Sequence, residues 1–286
     1  MFAQTVVNGI LLGGLYAIVG MGLAIIFGTM RIVNFAHGQF VMVGMYVSYA
    51  LFSSMQIDPY LSLPISFAIS FLLGVAVFRF SVLRIMQAPE MNQILLTAGI
   101  GLMLTNLSQM IFNTKQRTVN LAYGHDTLSL LGLQVNKAYL ISFVFAALIG
   151  GALFWFILKT ETGRAIRAIA QNQTAANLMG VDVRRVMTLV FGLGIGVAGA
   201  AGSLLLPMHY VDPSVGSAFS LLGFIIVVLG GMGSVLGAGL GGLLIGLISA
   251  LAAYYLGQSY SNVLAYLVFL LVLLLKPSGL LGRSRV

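Results

Sequence analysis

Seven stretches of this chain contain no Asp, Glu, Lys or Arg, and they constrain the fold more than any motif does. They are residues 1–30, 32–57, 59–78, 91–114, 138–158, 186–211 and 213–275, with lengths of 30, 26, 20, 24, 21, 26 and 63 residues. A helix needs about 20 mostly apolar residues to cross roughly 30 Å of hydrocarbon. The first six stretches fit one crossing each. The last holds two or three, divided at Gly230-Gly231-Met232-Gly233-Ser234 and at Gly257-Gln258-Ser259-Tyr260-Ser261. The pieces 214–229 and 262–275 are short, so a partial span is expected there. Spans of a β-barrel alternate apolar and polar residues, and the continuous apolar run 221–229 does not. Hydrophobic residues make up 59% of the chain and charged residues 7%, against about 25% charged in a soluble domain. Such a chain cannot cover its surface with polar groups, which argues against a soluble enzyme, a disordered chain or a nucleic-acid binder. The expected fold is all-α and polytopic: one transmembrane domain over residues 1–286, a bundle of seven to nine helices.

Orientation is read from Lys and Arg. One set of alternate loops holds Arg31, Arg79, Arg84, Lys159, Arg164, Arg167, Arg184, Arg185, Lys276, Arg283 and Arg285; the other holds only Lys115, Arg117 and Lys137. The positive-inside rule places the first set in the cytoplasm. The N-terminus, without a basic side chain, then lies outside, the C-terminus lies inside, and the number of crossings is odd. The first span lacks the basic n-region of a signal peptide and reads as an uncleaved helix.

No ionisable side chain lies well inside a span, whereas proton-coupled transporters place such groups there. Na⁺ held by carbonyls and hydroxyls stays compatible with this pattern. No Gly-Lys dipeptide occurs, so no Walker A loop is present. With no cysteine, and with His37, His125 and His209 scattered, neither thiol chemistry nor a metal site is indicated, and no cofactor is called for. Energy for any active transport would come from another chain. Glycines recur at helical small-xxx-small spacing, as in Gly9/Gly13, Gly192/Gly196/Ala200, Gly233/Gly237/Gly241 and Gly242/Gly246. This spacing allows close helix packing in lipid. The dense cluster from Gly230 to Gly242 also marks a turn or an interrupted helix.

The loop 159–186 reads as mechanical. Residues 165–179 are rich in helix formers and predict one short amphipathic helix. Ile166, Ile169 and Ala170 lie on one side, continued unevenly by Ala176 and Leu178, with Arg164 and Arg167 on another. Gly180 is placed to stop it. It lies on lipid headgroups or docks into a partner. Its small apolar face, broken by Gln171, Asn172 and Gln173, favours a protein groove.

These residues resemble a known family. Asn8-Gly9-Ile10-Leu11-Leu12-Gly13-Gly14-Leu15-Tyr16-Ala17, Ile32-Val33-Asn34-Phe35-Ala36-His37-Gly38, the loop from Gly163-Arg164-Ala165-Ile166-Arg167-Ala168 to Leu178-Met179-Gly180-Val181, Val228-Leu229-Gly230-Gly231-Met232-Gly233-Ser234 and Lys276-Pro277-Ser278-Gly279-Leu280 are similar to the permease subunit of branched-chain amino acid ABC importers, of the LivH type. The resemblance implies an ATP-driven importer with a second, LivM-like permease, two ABC ATPase subunits and an extracytoplasmic substrate-binding protein, in the inner membrane of a bacterium. It implies that 163–180 is the cytoplasmic coupling helix, with Gly163, Arg164, Ala165, Arg167, Ala168, Ala176 and Gly180 serving the ATPase contact. Gln39 stands where many relatives have Glu. Related permeases for urea, short amides and other amino acids share much of the pattern.

Two polar groups are candidates for the pathway. Arg31, Asn34, His37 and Gln39 interrupt the chain between the first two spans, either as a simple turn or near an inner gate. Thr97, Gly101, Thr105 and Ser108 share one helical face, with Asn106 and Gln109 beside it. They either hold helices together, at about 0.6 kcal/mol per contact, or form a weakly polar wall. His209, Tyr210 and Asp212 after Pro207, and His125 with Asp126, lie in external loops that are simply solvated or touch a docked binding protein. The expected function is the permease subunit of an importer for branched-chain or related amino acids, not itself an enzyme. A urea or amide permease of the same family, a secondary transporter and a passive solute channel are the alternatives. The missing intramembrane carboxylates weigh against the secondary transporter, and the loop 159–186 against the passive channel.

Overall fold

The computed structural model describes residues 2–124, 126–130, 132–276 and 279–281. His125, Pro277, Ser278, Arg283 and Arg285, which figure in the sequence reading, lie outside the described residues. The helices in chain order are α1 (Phe2–Met30), α2 (His37–Met55), α3 (Pro59–Val77), α4 (Leu83–Ile85), α5 (Glu90–Phe112), α6 (Lys137–Lys159), α7 (Glu161–Gln171), α8 (Gln173–Leu178), α9 (Val183–Leu205), α10 (Val215–Gly230), α11 (Val235–Leu256) and α12 (Ser261–Leu275). Between α5 and α6, β1 (Thr127–Leu130) and β2 (Leu133–Asn136) form an antiparallel hairpin with Thr127 opposite Asn136.

Among the described residues, seven helical segments are long and apolar enough to cross a membrane: α1, the rod Pro59–Ile85, α5, α6, α9, α11 and Gln258–Leu275. The helices α2 and α10 do not qualify. One starts on polar His37 and Gln39, and the other has only 16 residues. Both glycine-containing breaks in 213–275 are real turns, with φ of 105° at Gly231 and 99° at Gly257.

The third charge-free stretch does not end in a loop at Arg79. Phe78–Val82 continues α3 as a π-helical turn into α4, so Arg79 and Arg84 stand on a helix. Nothing before Pro89 breaks the backbone, and Phe78 is fully buried with its ring 5.4 Å from that of Phe191 in α9.

Glycine seams set the packing. Gly9 and Gly13 of α1 lie against Gly246, Gly242 and Leu243 of α11, and methyl groups there would collide with backbone. Gly192 and Gly196 of α9 receive Phe67, Phe71 and Val75 from α3. Close approach of this kind gains dispersion contacts that lipid cannot match. Among α2, α3 and α9, four fully buried serines converge: Ser48 Oγ lies 2.6 Å from Ser62, 3.0 Å from Ser66 and 2.7 Å from Ser203. Each hydroxyl thereby satisfies a group that water cannot reach.

The two sets of loops gather at opposite ends. At the hairpin end, Gln4 exchanges two hydrogen bonds with the Gln134 backbone. Asp58 caps α3 and accepts from the Tyr123 hydroxyl, and Lys137 pairs with Asp126 at 2.7 Å. Burial and the neighbouring Asp58 carboxylate push the Tyr123 hydroxyl well above the usual phenol range. At the arginine end, Arg31 meets residues 169–173, and Arg79 meets Arg184 and Arg185.

Candidate translocation site

The segment 31–36 is not a simple turn. Arg31 takes a left-handed backbone, φ 58°, and residues 31–36 are non-helical. They run back into the bundle, because His37 Nε2–H donates to the Val19 carbonyl at 3.0 Å. Val19 lies eleven residues, about 16 Å, before the end of α1. Six extended residues span about 20 Å, enough for the return. So α2 begins inside the bundle and climbs to the hairpin end.

The connection 206–214 does the same from the other side. It leaves α9 at the hairpin end, exchanges two backbone hydrogen bonds with Arg117 through Val211 at 2.9 and 2.8 Å, and delivers α10, which descends to the arginine end. Both returns close on the same local device. Asn34 Oδ1 accepts from Ala36 N at 3.1 Å, and the Asn34 carbonyl from His37 N at 3.2 Å. Asp212 Oδ1 accepts from Ser214 N at 2.7 Å, and the Asp212 carbonyl from Val215 N at 3.3 Å. Four residues on in each case stands a glycine, Gly38 and Gly216, and these two meet. A methyl group on Gly38 would collide with the Gly216 carbonyl, and one on Gly216 with the Gln39 backbone.

The N-termini of α2 and α10 thus face each other in the bundle, and their partial positive charges are dressed by neutral groups. Ser220 Oγ accepts from Gly38 N at 2.9 Å and donates to the Phe35 carbonyl at 2.9 Å. The Gln39 amide turns its NH₂ to Ser220 Oγ at 3.0 Å and to the Phe35 and Ala36 carbonyls at 3.3 Å. From α5, Thr97 Oγ1 lies 3.4 Å from both Phe35 N and the Val33 carbonyl, and Gly101 gives Gln39 its space. Asn34 Nδ2 and His37 Nδ1 are buried without a partner among the described residues. Outside this cage Phe35 stacks on Phe224, with ring centroids 6.3 Å apart.

Asn34, His37, Gln39 and Thr97, which the sequence offered as two separate candidate groups, come together. The rest of the α5 face does not follow. Thr97, Gly101 and Ser108 are buried, Thr105 is half-buried beside buried Leu104, and Asn106 and Gln109 are exposed. Asn106 Nδ2 donates to the Leu102 carbonyl of its own helix at 2.7 Å. Sequence reasoning missed Ser220 and Gly216, which sit in an apolar run. The signal was present as a repeated spacing, Val33-Asn34 to Gly38 and Val211-Asp212 to Gly216.

At the arginine end the expected single helix over 165–179 is two. Asn172 leaves the helical region, with φ −154° and ψ 107°, and its side chain caps α8 by accepting from Ala175 N at 3.0 Å. An Asn in that conformation offers its own carboxamide to the backbone, which is why it breaks helices that Ala or Gln would continue. Thr160 caps α7 through Gly163 N, and Gly180 ends the segment with φ 85°. Ile166, Ile169 and Gly163 pack inward, and Ala165 and Ala168 are half-buried. Arg167 donates to the Ile157 carbonyl, and Arg164 pairs with Glu161 at 3.2 Å. Ala176 is buried in this chain and not turned outward, a correction to the sequence reading. Leu178 and Met179, 82% and 84% exposed, form the outward apolar tip instead.

Paired helices that start within a bundle of full spans and meet N-terminus to N-terminus suit membrane transport proteins, where interrupted helices build the path. The chain belongs to the branched-chain amino acid transport system / permease component family, whose model matches residues 5–273. The high-affinity branched-chain amino acid transport system permease protein BraD of Pseudomonas aeruginosa is 30% identical, over all of this chain and 97% of the relative. LivH of Escherichia coli K12, with the same description, is 31% identical over equal shares. LivM of the same strain is 27% identical over 95% of this chain and 68% of its own length. No solved structure matches the chain.

Proposed function

We propose that this protein is the permease subunit of an ATP-driven importer of branched-chain or related amino acids in the inner membrane. It works with a LivM-like second permease, two ABC ATPase subunits and an extracytoplasmic binding protein, and is not itself an enzyme. The observation that carries the reading is the uncharged junction of Asn34, Gln39, Thr97 and Ser220 between two helix N-termini, in a chain matched along its length by permeases of such systems. Amides, hydroxyls and free N–H ends pass a zwitterion without a fixed charge to trap it. Affinity then resides in the delivery protein. The arginine end faces the cytoplasm, as its basic residues require. There α7 touches Thr29, Met30 and Arg31 across a cavity of about 290 Å³. A push on α7–α8 by an ATPase reaches Arg31, where the inward return begins, and through it the junction.

The test uses vesicles that hold the chain with its genomic-neighbour permease, ATPases and binding protein. Uptake of labelled leucine or valine should require internal ATP, survive an uncoupler, and fall at least roughly tenfold in Asn34→Leu, the factor for about 1.4 kcal/mol. Uptake that follows an ion gradient without ATP overturns the reading. In intact cells, a single cysteine replacing Gly124 should react with a membrane-impermeant thiol reagent, and one replacing Gln171 should not. The opposite pattern reverses the orientation.

A further inference from the structure

At the arginine end, the π-helical turn Phe78–Val82 and the first turn of α9 enclose a cavity of about 590 Å³. Its mouth carries Arg79, Arg184 and Arg185. One carboxylate lines it, Asp182, already paired with Arg185 at 2.8 Å. The guanidinium groups of Arg79 and Arg184 have no hydrogen-bond or ion-pair partner among the described residues. Two arginines in the first turn of a helix also oppose its dipole, so the sum is a local excess of positive charge that the chain leaves unanswered.

The deeper part of the lining is apolar. Phe71 and Val75 stand eight and four residues before Arg79 on the same rod, hence roughly 12 and 6 Å deeper along it. The cavity is therefore cationic at the membrane edge and apolar at hydrocarbon depth. A free anion would gain nothing from Phe71 and Val75, and a soluble partner does not reach them.

We propose that this cavity binds an anionic phospholipid, its phosphate between Arg79 and Arg184 and an acyl chain along Phe71 and Val75. Basic pockets between helices at this depth suit such headgroups, and planar guanidinium groups hold phosphate through two parallel hydrogen bonds. The lipid would bridge the α3–α4 rod to the start of α9, next to the segment that follows Gly180.

The full chain, purified in an uncharged detergent, is mixed with phosphatidylglycerol or phosphatidylcholine, and bound lipid is read by native mass spectrometry. Phosphatidylglycerol should be retained in preference. The pair Arg79→Gln and Arg184→Gln should weaken its retention roughly 25-fold, about fivefold per arginine. Arg84→Gln, exposed on the same rod and outside the cavity, should leave retention unchanged. Equal retention of both lipids, or no loss in the double variant, overturns the proposal. Displacement of the lipid by millimolar inorganic phosphate would show a site for free anions and overturn it as well. If the double variant does not stay monodisperse, the contrast is read between Arg184→Gln alone and the pair Arg79→Lys and Arg184→Lys, which keeps the charges. Loss in the first with retention in the second supports the site; equal retention refutes it.

Discussion

Gly38 and Gly216 are the residues at which the two return segments touch. Each leaves room for the backbone of the other return segment, and neither place tolerates a Cβ without displacing main chain. Gly38→Val should cost about 1–3 kcal/mol or more by overpacking and lower the thermal midpoint of the purified protein. Ser220→Ala, which leaves the space but removes a hydroxyl between Gly38 N and the Phe35 carbonyl, should be milder in stability. An unchanged midpoint in Gly38→Val would mean that the two N-termini do not meet. A second residue, His209, sits in the 206–214 return with its ring edge-on to Phe219 and Nε2 buried without a partner among the described residues. Burial holds its imidazole below the ordinary 6.5. The folded state thus binds its proton less readily than the unfolded chain, so this contribution to stability is complete above about pH 6.5 and is lost as pH falls below it. The midpoint should decline between pH 7 and pH 5, and His209→Phe should decline less. Equal declines would remove His209 as the cause.

At the scale of elements, the segment 160–180 separates what local chemistry dictates from what packing decides. Its helical character and its stop at Gly180 were legible from composition and spacing, but Ile166 and Ile169, expected to face a partner's groove, pack inward against this chain instead. The break at Asn172 was not legible, because Gln171-Asn172-Gln173 contains no Gly or Pro and the capping role of Asn appears only once α8 takes its own direction. That turn rotates Ala176 into the chain and Leu178 and Met179 out of it. Ala176→Glu should therefore destabilise the isolated permease, as a buried charge without a partner does. Leu178→Glu should leave its stability within about 0.5 kcal/mol and abolish co-purification of the ATPase. If Ala176→Glu is stable alone and Leu178→Glu still retains the ATPase, the assignment of faces is reversed. The rod Pro59–Ile85 teaches the same lesson: charge pattern alone ended it at Arg79, while burial of Phe78 against Phe191 carries the helix past it.

Across the whole molecule, α1, α2 and α3 repeat in α9, α10 and α11 as a full span, an inward return, a helix that starts inside the bundle and another long helix, run in the opposite direction. The class and most of the spans needed only the sequence, but the stretch 32–57, expected as a crossing, supplies α2, which does not qualify as one. The cost of placing charge or unpaired backbone in hydrocarbon is so large that charge-free length marks the helices, and the sorting of arginines separates the two ends. The family is legible too, since most of its motifs lie at turns and breaks of the chain and the remaining one, Asn8–Ala17, lies within α1 and includes Gly9 and Gly13, which pack against α11. The junction itself was decided by tertiary structure. Asn34, Gln39 and Thr97 stand out as polar residues, but only the return of 31–36 along α1 brings them to one place, and only the packing of α10 supplies Ser220 from 181 residues beyond Gln39. Hydropathy is a property of each residue and survives in the one-dimensional chain. Which neutral hydroxyl meets which carbonyl depends on glycines distant in sequence letting two backbones touch, and that is settled only when the helices pack.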